Sequence, residues 1–238
     1  MSCIRVRQVS KRYRETAAVV QAIDALDLTL EEGEFTVVAG PSGSGKTTLL
    51  NLVGGLDRPD TGEIFVGDQP LHVMSEAELT ELRLRRIGFV FQAYNLIPVL
   101  TVYENVQFIL QIQGIGEAEH ASRILPLLEE LGLKGMEDRF PPQLSGGQQQ
   151  RVAVARAMVG RPRVILADEP TANLDSENAV ALLELMKRLN EEQGVTFLFS
   201  SHDPRVIDTA RRVVRLRDGR IESDERRPEP ETPTVRGR

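Results

Sequence analysis

The sequence predicts an α/β fold: a core of buried parallel strands, an antiparallel β subdomain beside it, and an α-helical subdomain inserted between core strands. Three patterns carry that expectation. Short apolar runs at Phe35 to Ala39, Ile87 to Phe91, Val164 to Ala167 and Thr196 to Ser200 read as strands covered on both faces. Alternating apolar and polar residues at Ile4 to Val9 and Ala25 to Leu30 read as half-exposed strands. From Thr101 to about Val159 the apolar spacing changes to three and four, which is helical.

Taken in order, the alternating strands end in a turn at Glu31-Glu32-Gly33, and the Phe35 to Ala39 strand feeds a glycine-rich loop. Thr47 to Leu56 then has helical spacing, so the loop sits between a strand and a helix. Asp60 to Gly67 reads as a turn and another antiparallel strand, and Ser75-Glu76-x-Glu78 starts a helix with capping-box chemistry. The insert follows through Tyr103-Val106-Ile109-Leu110, Ile124-Leu127-Leu128-Leu131 and Val152-Ala155-Met158. A helix from about Glu177 to Gln193 carries a core stripe of Leu182, Leu183, Leu185 and Leu189. Val213 to Leu216 and Ile221, joined by Asp218-Gly219, read as a closing hairpin. The expected organisation is one domain over 1–222, with core 1–92 and 160–222 and insert about 93–159. Arg, Glu and Pro without periodicity predict a flexible, solvated tail over 223–238.

Composition narrows the function classes. A chain of 238 residues holds one good core with a modest subdomain. With 27% charged and 41% hydrophobic residues it reads as a soluble globular protein, and a net charge of −6 argues against a dedicated nucleic-acid binder. The single cysteine, Cys3, makes no internal disulfide, and no basic-then-apolar leader precedes the first strand. A reducing, cytoplasmic setting is expected. The longest uncharged run, Ile87 to Tyr103, is interrupted by Gln92, Asn95 and Pro98 and is too short and polar to span a bilayer.

The chemistry lies in motifs of fixed spacing. Gly40-x-x-x-x-Gly45-Lys46-Thr47, between strand and helix, is a phosphate loop, and it makes the core that of a P-loop NTPase. Glycines permit the tight path, backbone amides wrap phosphates, and the helix adds its positive end. Gly40, Ser42, Gly43, Ser44, Gly45, Lys46, Thr47 and Thr48 form the expected phosphate-binding set. Lys46 reaches the outer phosphates and Thr47 holds Mg²⁺ through its hydroxyl. Asp168 leaves a buried strand at its C-terminal edge, which places it in the Mg²⁺ shell. Glu169, one step on, is the expected general base. Gln92 follows a third core strand, where a neutral amide can touch Mg²⁺ and sense a filled site. His202 follows a fourth, which favours contact with the terminal phosphate. Leu144-Ser145-Gly146-Gly147-Gln148 opens a helix and so forms a second anion-seeking helix N-terminus with no phosphate partner in its own loop. Two chains facing head to tail would resolve that puzzle, the loop of one copy and this segment of the other enclosing one ATP.

These motifs, with Ala167-Asp-Glu-Pro, Asn173-Leu174-Asp175 and Ser201-His-Asp, occur in an order that resembles ABC-type nucleotide-binding domains from about Ile4 to Glu222. Gly54-Gly-Leu-Asp-Arg-Pro, Ile87-Gly-Phe-Val-Phe-Gln and Asn95-Leu-Ile-Pro look like the lipoprotein-release and macrolide-efflux branch. The resemblance implies ATP as ligand, hydrolysis by Glu169 and His202 with Lys46 and Gln92, and Tyr13 stacked on adenine. It also implies Ser145, Gly147 and Gln148 acting on the partner's ATP. It further implies a homodimer formed on ATP binding, at the inner face of the cell membrane, driving an integral-membrane permease. Ser200-Ser201-His202 stands where Val-Thr-His is more usual, a change expected to leave the reacting groups untouched.

A second reading is a soluble ABC ATPase acting on DNA or ribosomes, although no long coiled coil, zinc module or second ATPase domain is present in the sequence. A GTPase or kinase would leave the Leu-Ser-Gly-Gly-Gln segment unexplained. Two finer expectations concern Tyr13, where Phe should be tolerated, and the apolar loop Tyr94 to Val99. That loop reads either as buried beneath the insert or as the edge of a groove for a permease helix.

Overall fold

The computed structural model describes residues 1–15 and 18–227. Two long antiparallel strands, β1 (Ser2–Glu15) and β2 (Ala18–Glu31), open the chain. They extend well past the alternating runs because the register shifts between Val6 and Val9, at Gln8, and again between Val9 and Lys11, opposite Ala25; Gln8 and Ala25 adopt left-handed backbone at φ 47° and 44°. Such bulges reset the two-residue period, which hides the continuation from pattern reading. With β4 (Thr61–Val66) and the short β5 (Gln69–Pro70) they form a four-stranded sheet of order β2-β1-β4-β5.

The second sheet has six strands in the order β10-β9-β3-β8-β7-β6. Its members are β3 (Phe35–Ala39), β6 (Ile87–Val90), β7 (Val164–Asp168), β8 (Thr196–Ser201), β9 (Arg212–Arg217) and β10 (Arg220–Arg226). All pair in parallel except β10, which closes the edge antiparallel to β9. Alternation along the strands divides the core in two. Phe35, Val37, Ile165, Phe197 and Phe199 pack on the side that carries the helical insert. Val38, Val164, Leu166 and Leu198 pack on the side of the antiparallel sheet.

Helix α1 (Lys46–Val53) follows the glycine loop, and α2 (Glu76–Arg86) begins at the expected Ser75–Glu78 capping box. Between β6 and β7 lie α3 (Val102–Ile112), α4 (Glu117–Glu130) and α5 (Gly146–Met158). The apolar stripes expected of the insert are buried in one cluster with Leu182, Leu183, Leu185 and Leu189 of α6 (Ser176–Gln193), except that Tyr103 and Ile109 pack half-buried against it. A short α7 (Pro204–Thr209) precedes the closing hairpin.

That hairpin corrects one expectation. Asp224, assigned to a solvated tail from residue 223, is a strand residue whose two carboxylate oxygens accept from Arg212 Nε and Nη2 at 2.8 and 2.6 Å. Arg212 Nη1 also donates to Glu34 at 2.7 Å. The charged composition that mimics a tail is cross-strand ion pairing. Residues 228–238 of the expected tail lie outside the described residues.

Candidate active site

Parallel pairing of adjacent strands aligns their C-terminal ends, and the register makes the alignment specific. Ala39 of β3 lies opposite Ser201 of β8, Ser200 opposite Asp168 of β7, and Ala167 opposite Val90 of β6. The glycine loop, His202, Asp168-Glu169 and Gln92 therefore leave the sheet side by side. They meet at a cleft of about 510 Å³ whose lining includes Tyr13, Ser42, Gly43, Gly45, Lys46, Thr47, Thr48, Gln92, Glu169 and His202.

The loop has the geometry that its glycines allow. Gly45 has φ 103°, and a Cβ there would meet the Ala22 carbonyl at 2.4 Å. At Gly40 a Cβ would lie 2.2 Å from the Leu216 carbonyl oxygen. The Ser44 side chain is buried behind the loop rather than lining the cleft, and its hydroxyl has no hydrogen-bond partner among the described residues. Lys46, also buried, donates from Nζ to the carbonyls of Gly40 and Pro41 at 2.8 and 3.0 Å and lies 3.9 Å from Glu169 Oε1.

Across the cleft floor, the Thr47 hydroxyl is 3.1 and 3.0 Å from the two Asp168 oxygens. Glu169 has left-handed backbone at φ 45°, and its Oε1 is 2.8 Å from His202 Nδ1. An ionised carboxylate only accepts, so this contact has Nδ1 carry the proton. Asn173 Nδ2 donates to the backbone carbonyl of Gln92 at 2.8 Å, joining two loops of the site.

At the cleft mouth the Tyr13 hydroxyl donates to Asp57 Oδ2 at 2.7 Å, and Lys11 Nζ lies 5.2 Å from the ring centroid while donating to Asp57 Oδ1 at 2.6 Å. Burial pushes the Tyr13 hydroxyl pKa up, and Asp57 adds to the effect. Burial also pushes the Asp57 carboxyl up, but hydrogen bonds from Lys11, Tyr13 and the Arg58 amide outweigh it and hold it below the ordinary range.

Ser145, Gly147 and Gln148 do not line this cleft. They form the start of α5, where Ser145 and Gln148 make a reciprocal capping box. Gly147 packs so closely on Asn178 that a Cβ would sit 2.9 Å from its Oδ1. Asn178 is in turn held by Asp175, whose carboxyl pKa is lowered by those hydrogen bonds.

The sequence matches the ABC transporter family over residues 23–172. This chain belongs to the ABC transporter family. It is 43% identical over 227 residues to an uncharacterized ABC transporter ATP-binding protein of Methanocaldococcus jannaschii, covering 94% of this chain and 97% of that protein. It is 43% identical to the macrolide export ATP-binding/permease protein MacB of Syntrophobacter fumaroxidans, covering 94% of this chain and 32% of MacB. A solved dimeric ATP-binding cassette in a post-hydrolysis state with ADP and Pi superposes with a TM-score of 0.86 at 41% identity, over 94% of this chain and 98% of that one. This ABC protein is an ATP-binding ATPase subunit. Among its described residues no helix is long and apolar enough to cross a membrane.

The ABC site also contains residues that motif reading passed over. Ser200 hydrogen-bonds Asp168 and the Glu169 backbone, which corrects the expectation that its substitution leaves the reacting groups untouched. Lys11 and Asp57 stand behind Tyr13. Outside this cleft, Arg156, whose pKa burial lowers, donates to the carbonyls of Tyr94 and Asn95, both of which have left-handed backbone, and so holds the loop that follows Gln92. No motif spacing signals these partners, because each contact joins distant segments.

Proposed function

We propose that the subunit works as a head-to-tail homodimer that closes on ATP, hydrolyses it with Mg²⁺ and drives an integral-membrane permease of the lipoprotein-release or efflux type from the cytoplasmic face. The observation that carries the reading is the joint at the cleft floor, where Thr47 meets Asp168 at 3.0 Å while Glu169 meets His202 at 2.8 Å.

The donor set suits Mg²⁺. A hydroxyl, one carboxylate and the Gln92 amide are hard oxygen donors, and no cluster of three or more metal-ligating acidic, His or Cys side chains exists among the described residues. Such a sparse set fits an ion that keeps its waters and shares phosphate oxygens. Bound with nucleotide, Mg²⁺ would neutralise phosphate charge. Lys46 and the loop amides bind and orient the phosphates, Glu169 polarises the attacking water, and His202 orients Glu169 and meets the terminal phosphate. Tyr13 carries the base. Ser145, Gly147 and Gln148 of one copy complete the site of the other. Their position outside their own cleft supports this, as does the likeness to a dimeric cassette.

The permease reading rests on a second cleft, of about 440 Å³, lined in part by Leu56, Phe89, Phe91, Ile97, Phe108 and Ile109. Leu56, Val99 and Phe108 are exposed there or beside it, and the segment leads directly from Gln92. An amphipathic permease helix seated in the groove would feel movement of Gln92.

The deciding experiment is Glu169→Gln. Turnover should fall by about 10² or more while ATP binding persists, and the variant should collect as an ATP-bound dimer on a sizing column without Mg²⁺. Hydrolysis at the parent rate, or a monomer at high nucleotide and protein concentration, overturns the assignment.

A further inference from the structure

Ser200 is fully buried near the end of β8, directly opposite Asp168 of β7. Its hydroxyl donates to Asp168 Oδ1 at 2.6 Å and accepts from the Glu169 backbone N–H at 3.0 Å. One oxygen therefore holds the side chain of one acidic residue and the main chain of the next. Ser201, beside it, does something different: its hydroxyl accepts from Asp203 N–H at 3.1 Å and shapes the following turn.

Both neighbours gain from being held. The terminal torsion of an aspartate is broad, and Thr47 lies at nearly equal distance from both carboxylate oxygens, so it selects neither. The bond from Ser200 selects Oδ1. Glu169 has left-handed backbone at φ 45°, which a residue with a Cβ adopts only when its surroundings impose it. That backbone presents the Glu169 carboxylate to His202 at 2.8 Å and to Lys46 at 3.9 Å.

We propose that Ser200 is a positioning residue for ATP hydrolysis, orienting the Mg²⁺-binding carboxylate of Asp168 and the water-polarising carboxylate of Glu169 through a single hydroxyl. The inference rests on the roles proposed above for those two acids. A charge-assisted hydrogen bond in a buried setting is strong enough for its loss to be read in kinetics.

The test compares Ser200→Ala and Ser200→Thr in the full chain. In the alanine variant kcat should fall about ten- to a hundredfold with KM for ATP within about twofold. The dissociation constant of Mn²⁺ from the protein with a non-hydrolysable ATP analogue, titrated by electron paramagnetic resonance, should rise about threefold or more. Threonine keeps the hydroxyl and should restore both. Parent kcat and parent Mn²⁺ affinity in the alanine variant overturn the proposal. Equal loss in both variants with Mn²⁺ affinity unchanged, or a matching fall in melting temperature in both, makes Ser200 a packing residue and overturns it too. Glu169→Gln, run alongside, separates the two levels: parent turnover in that variant refutes the roles of the acids rather than the role of Ser200.

Discussion

The phenolic hydroxyl of Tyr13 donates to Asp57 Oδ2 at 2.7 Å, so the aromatic platform at the cleft mouth is tied to the loop that follows the phosphate helix. Lys11 bonds the same carboxylate and the Arg58 carbonyl at 2.6 and 2.8 Å. The Tyr13 ring and the loop behind the phosphate helix thus share one hydrogen-bonded frame.

This tie revises the expectation for Tyr13. Tyr13→Ala should raise the ATP dissociation constant severalfold through lost stacking, worth about 0.5–1.5 kcal/mol. Tyr13→Phe keeps the ring but loses its anchor, and should raise the constant about twofold rather than leave it unchanged. Asp57→Asn should behave like Phe. Binding of inorganic triphosphate, which has no base to stack, should be unaltered in all three, and calorimetry checks each arm.

His202→Ala removes the partner of Glu169 Oε1 without touching the phosphate loop. Turnover should fall about ten- to a hundredfold while ATP affinity stays within about threefold. Steady-state kinetics beside equilibrium nucleotide binding checks the split. A loss confined to affinity would assign His202 to nucleotide binding alone.

The structure separates two neighbours in the apolar loop. Leu96 packs against the core cluster of the insert, whereas Ile97 lines the exposed groove. Ile97→Glu should abolish co-purification with the permease and leave melting temperature and basal hydrolysis near the parent values. Leu96→Glu should instead destabilise the subunit, by about 1–2 kcal/mol, because it replaces a half-buried apolar contact with the core by a charge.

Asp224 gives stability a pH dependence. Its hydrogen bonds with Arg212 hold the carboxyl below its ordinary value. A depressed folded-state pKa contributes stability above the unfolded value, near 3.9, and that contribution is lost as pH falls through the folded value. Asp224→Asn should lower stability at pH 7 by about 1 kcal/mol, since the group is partly solvated, and should flatten the acid limb of a melting-temperature profile below about pH 4. Arg212→Met, which removes the hydrogen-bonding partner of Asp224 and one of the two cationic partners of Glu34, should cost more.

What the sequence determined by itself is the local chemistry. The phosphate loop between strand and helix, the acidic strand end, the capping residues of α2 and the start of α5 all depend on neighbours within a few positions, so spacing alone made them legible. The central strands were legible because burial on both faces leaves continuous apolar runs. Tertiary structure decided everything that joins distant segments. Bulges at Gln8 and Ala25 broke the two-residue period and concealed most of the first hairpin. Arg212 turned charged residues with the composition of a tail into a strand. Strand order set Ser200 across from Asp168, 32 residues away in sequence, and folding brought Tyr13 to Asp57, 44 residues away. Such pairings arise from burying two faces of one sheet at once, and no residue's own periodicity records which neighbour it will meet.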